Sequence, residues 1–124
     1  MNARNTILTG STFGLLGVAI GAFGAHALKP MLIESGRLET FELAVRYQFY
    51  HTFALLATGI LMNQLPIQFL KFASWFFTGG ILFFSGSLYL LCFSGLGVLG
   101  AITPIGGLLF IAGWICIFMS ALKK

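Results

Sequence analysis

Residues Thr6–Leu28 read TILTGSTFGLLGVAIGAFGAHAL, and the rest of the chain can be interpreted from them. The run is close to the ~20 apolar residues that a helix needs to cross a bilayer. Gly10, Gly14, Gly17, Gly21 and Gly24 recur at spacings of four, three, four and three. On a helix turning about 100° per residue, all of them fall within roughly 80° of arc. In water each would weaken a helix by about 1 kcal/mol. In lipid they form a smooth groove that lets another helix approach closely. The stretch predicts a membrane helix over 6–28 with a glycine-zipper packing seam, through which a homo-oligomer could form.

Composition names the same solvent. The 124 residues are enough for a single domain, 58% of them are hydrophobic, 8% are charged, and the mean hydropathy is +0.97. A soluble domain carries about a quarter charged residues. The net charge of +4 does not indicate nucleic acid, because the seven Lys and Arg stand singly or in one terminal pair beside apolar runs. Residues so placed anchor helices and set topology. The expected partner is the lipid bilayer. Cys92 and Cys116 lie inside apolar runs, at depths differing by more than ~10 Å, beyond disulfide reach. They read as buried free thiols. Arg4, the apolar run and Ala25-His26-Ala27 imitate a secretory signal with its cleavage site. The length of the run, its glycines and three further apolar segments favour a retained first helix instead.

Asn5 or Thr6 is the expected cap of that helix and Pro30 its expected end. Pro30–His51 holds all three acids, Glu34, Glu39 and Glu42, with Arg37 and Arg46. It predicts a short charged amphipathic segment, helical from about Leu38 and running into a second span, 44–65, with Arg46 snorkelling to the headgroups. NQLPIQ, 63–68, is a turn. The third span, 72–93, is rich in Phe and has Trp75 near one end, a usual interface anchor. After a glycine-rich connection, Thr103 as N-cap and Pro104 at the first helical position open the fourth span, 104–122. Four spans with short connections predict an all-α integral membrane four-helix bundle, up-down-up-down. Both termini then share a side with Arg4, Lys71, Lys123 and Lys124, against Lys29, Arg37 and Arg46 opposite. That bias places the termini in the cytoplasm of a cell (inner) membrane.

The second helix gathers Tyr47, Gln48, His51 and Thr58 within about 100° of arc and sets Phe49, Phe53, Leu56 and Ile60 on the other face, toward lipid. Polar groups in lipid are costly unless partnered, so the first face should turn inward. His26 and Tyr89 should lie toward the same, non-terminal side, giving a candidate polar layer of His26, Tyr47, Gln48, His51 and Tyr89. These groups either fix helix register by hydrogen bonding or line a permeation or ligand site. His26 also points roughly 160° from the glycine seam, toward the headgroups. Two histidines without a Cys or carboxylate at ligand spacing do not make a zinc site. GSTFG and FSGSL lack the strand–turn–helix of a nucleophile elbow, and no phosphate loop is present. No catalytic residue, metal or cofactor is expected.

GAFGAHALK (21–29), RYQFYHTFALL (46–56), FFSGSLYLL (83–91) and TPIGGLLFIAGW (103–114) together resemble, in order and spacing, the small bacterial inner-membrane family catalogued as domain of unknown function 423, related to a small eukaryotic transmembrane protein. The resemblance implies a four-span membrane protein and brings no activity or site residue with it. The function expected is that of a non-enzymatic structural or accessory bundle. The alternative is a small oligomeric channel or transporter with its polar layer around His51.

Overall fold

The computed structural model describes residues 1–123, and all regular structure among them is helical. Helix α1 spans Ala3–Ala25 and begins earlier than expected, because Asn2 caps it. The Asn2 Oδ1 accepts a 2.7 Å hydrogen bond from the Asn5 N–H, satisfying one of the first-turn donors. Thr6 lies inside the helix, where its hydroxyl donates back to the Asn2 carbonyl at 2.7 Å. The far end also differs. The helix stops at Ala25, short of Leu28, and Pro30 begins α2 (Lys29–Glu34) instead of ending α1. A proline in the first turn has no intrahelical bond to lose. Gly36, at φ 70°, then lets the Arg37 N–H return to the Leu32 carbonyl at 2.8 Å. This left-handed cap closes α2 and aims the chain into α3.

Helix α3 spans Leu38–Leu61, so the charged segment and the second apolar run are divided between α2 and one 24-residue helix. Helix α4 (Ile67–Gly80) passes through a π-helical turn, Ile81–Ser85, into α5 (Gly86–Ser94). The three form one rod. Gly95 (φ 71°) ends it, and a 3-10 turn over Gly97–Ala101 leads to α6, Thr103–Leu122. Thr103 is the first residue of α6 rather than its cap. Its hydroxyl lies 2.7 Å from the Ser87 hydroxyl, tying the start of α6 to α5. Among the described residues, Ala3–Ala25, Ile67–Ser94 and Gly97–Leu122 are long and apolar enough to cross a membrane. Helix α3 is equally long, but Glu39, Glu42, Arg46, Gln48 and His51 lower its apolar character. Lys124 lies outside the described residues.

Neighbouring rods run antiparallel. Gly10 faces Leu55 and Leu56, Gly14 faces Thr52, Gly17 faces Phe49, Gly21 faces Val45, and Gly24 lies under the Phe41 ring. The seam of α1 is therefore filled along its length by α3 of the same chain. Gly10, Gly17 and Gly24 are buried there, so this face is not open to a second copy as the homo-oligomer expectation requires. Helices α4 and α6 pair in the same manner. Phe110 occupies the space over Gly80, Phe77 that over Gly113, and Gly106 rests on the backbone of Phe84. Each contact sets an aromatic ring or a backbone segment into the notch a glycine leaves. In lipid such dispersion contacts, rather than hydrophobic transfer, hold helices together. The α1–α3 and α4–α6 pairs join where α3 meets the 67–94 rod, around a core of Ala54, Leu55, Ala73, Phe77, Ile81 and Phe110. Cys92 is buried, Cys116 half-buried, and both are free thiols.

Candidate functional site: a polar layer between helices

Helix α3 turns Ala44, Gln48, His51, Thr52, Ala54, Leu55 and Thr58 into the protein and leaves Tyr50, Phe53 and Ile60 outside. This segregation follows from the cost of an unpartnered polar group in lipid. Phe49 and Leu56, expected on the lipid face, instead lie half-buried against Gly17 and Gly10 of α1, because the glycine seam has room for their side chains. Gln48 and His51 are each the centre of a hydrogen-bonded group that links α3 to neighbouring helices.

The first centres on Gln48, which is 2% exposed. Its Nε2 donates to the Phe13 carbonyl of α1 at 2.8 Å. Its Oε1 accepts from the Tyr89 hydroxyl of α5 at 2.6 Å. One side chain thus links three helices, and the bond to Phe13 uses a backbone carbonyl already engaged in the helix, whose second lone pair is free. One turn away, the Ser85 hydroxyl donates to the Ala44 carbonyl at 2.7 Å. Ser85 closes the π-helical turn, and the Gly86 N–H that follows bonds to the Ile81 carbonyl. Such a turn accommodates one extra residue in an otherwise α-helical rod.

The second group centres on His51. Trp114 of α6 donates its indole Nε1–H to His51 Nε2 at 3.1 Å. The other ring nitrogen, Nδ1, lies 2.8 Å from the Tyr47 carbonyl. An indole only donates, so Nε2 accepts and the proton sits on Nδ1, which donates to the carbonyl. The imidazole is stacked on Phe110, with centroids 3.4 Å apart and planes at 6°. Tyr47 stacks on Phe84 at 4.6 Å. Outside this group, a groove of about 620 Å³ between α3 and α6 is lined by Tyr47, Tyr50, His51, Gly107, Phe110 and Trp114.

Of the expected layer, Tyr47, Gln48, His51 and Tyr89 are brought together, in two groups rather than one. His26 is not. It sits exposed at the C-terminal cap of α1, because the helix ends at Ala25 and the chain turns toward α2 there. Sequence reasoning missed Trp114, whose signal was its position: it lies in mid-span, not near an end as an interface anchor would. It also missed Ser85, which ends the π-helical turn and meets α3 at the Ala44 carbonyl. Thr52, fully packed beside Gly14, has a buried hydroxyl oxygen without a hydrogen-bond partner.

Comparison with known proteins gives a consistent picture. The UPF0382 membrane protein SH2409 of Staphylococcus haemolyticus is 43% identical over 117 residues, covering 94% of each chain. The UPF0382 membrane protein YwdK of Bacillus subtilis is 40% identical over 118 residues, covering 94% of this chain and 95% of the relative. No solved structure matches the chain. The family profile described as "Protein of unknown function (DUF423)" matches residues 20–107, a span holding Gln48, His51 and Tyr89. With most of its length matched both by that profile and by these relatives, the chain belongs to the DUF423 family of membrane proteins.

Proposed function

We propose that this protein is a non-enzymatic structural or accessory bundle of the cell membrane, working as a single copy. In this reading four rods cross the bilayer, up-down-up-down, with both termini in the cytoplasm. Helix α3 is the central span. Glu39 and Glu42 lie in its first two turns, at headgroup level, and Arg46 snorkels to join them. Four cationic side chains on the terminal side against three opposite favour cytoplasmic termini.

The observation that carries the functional reading is the fate of the polar layer. Gln48 and His51 each use both ends of their hydrogen-bonding capacity on groups of the same chain. A permeation pathway needs polar groups free to exchange partners with a passing solute. Here they fix helix register, the commoner use of such groups in membranes. The channel or transporter reading would instead need several copies to enclose a pathway beside the groove at His51.

The mass of the protein in native-like lipid discs separates the two. A monomer is expected, unchanged in stoichiometry by Gly17→Leu, which instead destabilises it by pushing Phe49 and Gln48 off α1. A defined oligomer that Gly17→Leu disperses would overturn the single-copy reading and make liposome flux, with and without His51→Ala, the next measurement.

A further inference from the structure

Where α1 ends, the molecule holds a second groove, of about 300 Å³, between the last turn of α1 and the first turns of α3. Its walls are largely apolar, with Gly21, Ala25, Leu38 and Val45 accessible in it, and its rim carries Lys29, Glu42 and Arg46. The rim continues into an adjoining hollow where Glu39 joins Glu42 and Arg46. Lys29, Glu39, Glu42 and Arg46 are all exposed.

The two ends of the molecule differ in charge. At the terminal end stand Arg4, Lys71 and Lys123, with no Asp or Glu side chain among neighbours in sequence. At the end where the groove opens, Lys29, Arg37 and Arg46 are matched in number by Glu34, Glu39 and Glu42, so cations and carboxylates balance. A purely cationic rim would fit an anionic lipid. A rim with cations and a carboxylate around one apolar slot has a different complement: a headgroup with a phosphate and a protonated amine, joined to an acyl chain.

We propose that this groove binds a single aminophospholipid. Its phosphate accepts hydrogen bonds from Lys29 and Arg46, its primary ammonium donates to Glu42, and an acyl chain lies along Gly21 and Ala25 of α1 against Leu38 and Val45 of α3. Charge-assisted bonds of this kind are about twice as strong as neutral ones. A choline headgroup has no N–H to donate to Glu42, and a glycerol headgroup has no cation. The proposal needs only that the end of α1 lies at the membrane interface. It stands or falls separately from the single-copy reading above.

The test is native mass spectrometry of the intact protein released from membranes of equal parts phosphatidylethanolamine, phosphatidylcholine and phosphatidylglycerol with matched acyl chains. Phosphatidylethanolamine should be retained roughly fivefold over either competitor, the ratio expected of one well-placed charge contact. Lys29→Gln with Arg46→Gln should reduce it to the level of phosphatidylcholine. Glu42→Gln, a conservative change of an exposed side chain, should switch the preference to phosphatidylglycerol. Arg4→Gln with Lys71→Gln, an equal charge change at the opposite end, should leave the preference as it is. Equal retention of the three lipids, a wild-type preference for phosphatidylglycerol, or a preference that Glu42→Gln does not alter would each overturn the proposal.

Discussion

Gln48 shows what one residue can contribute in lipid. Its amide joins α1 and α5 to α3 through bonds of 2.8 and 2.6 Å. Removing it leaves the Tyr89 hydroxyl without its partner. A double-mutant cycle with Gln48→Leu and Tyr89→Phe should give a coupling energy of about 0.6–2 kcal/mol, the range for interhelical hydrogen bonds in membranes. Unfolding of the four proteins in mixed micelles would measure it, and additive losses would refute the bond. At His51, nitrogen NMR of the imidazole should show the Nδ1–H tautomer. Trp114→Phe should shift the Nε2 resonance while Nδ1 stays bonded to the Tyr47 carbonyl. At this scale the sequence was informative about α3, because helical periodicity and the cost of polar groups in lipid together identify which side chains face inward. It was silent on what they would meet. Trp114 is 63 positions from His51, and no local rule connects them.

The helices themselves are specified by where glycine is indispensable. A methyl group at Gly14 would lie 3.4 Å from Thr52 Cγ2, an ordinary contact, whereas one at Gly106 would run into the Phe84 backbone. A flexible side chain can yield; a helix backbone cannot. Gly14→Ala should therefore leave stability within about 0.5 kcal/mol, and Gly106→Ala should cost about 1–3 kcal/mol, as overpacking does. Equal effects on thermal unfolding in detergent would contradict this assignment. The five-glycine seam of α1 was legible because its period is local. Its occupant was not, since a smooth face suits α3 of the same chain and a second copy equally well. The π-helical turn was hidden for a related reason: ILFFS has no residue that forbids ordinary helix, and the rod departs from α geometry where Ser85 meets the Ala44 carbonyl and Gly106 meets Phe84.

Across the whole molecule, contacts sort the connections into two ends. Thr6 meets Met62 at 3.8 Å, Ser120 bonds to the Pro66 carbonyl at 2.7 Å, and Lys123 lies 4.8 Å over Phe69. The termini and the 62–66 turn thus share one end. Cys92 approaches the Arg37 carbonyl at 3.8 Å, and Ser87 meets Thr103, at the other. If all four rods cross the bilayer, single cysteines in a Cys92→Ala, Cys116→Ala background should report it. Gln64→Cys should react with a membrane-impermeant reagent from the same side as the termini, and Leu96→Cys from the opposite side. Labelling of both from one side would break the four-span arrangement.

From its residues alone the chain committed itself to lipid as solvent, to helices as its only regular structure and to α3 as the helix with a polar inner face. Hydropathy and period are local properties, and they suffice for that. Tertiary structure decided the rest: that α3 fills the glycine seam, that the polar layer divides at Gln48 and His51, and that His26 stays outside it. Each of these depends on which surfaces meet across tens of residues, where the small differences in fit between glycine notches and aromatic rings select one packing from several that the pattern permits.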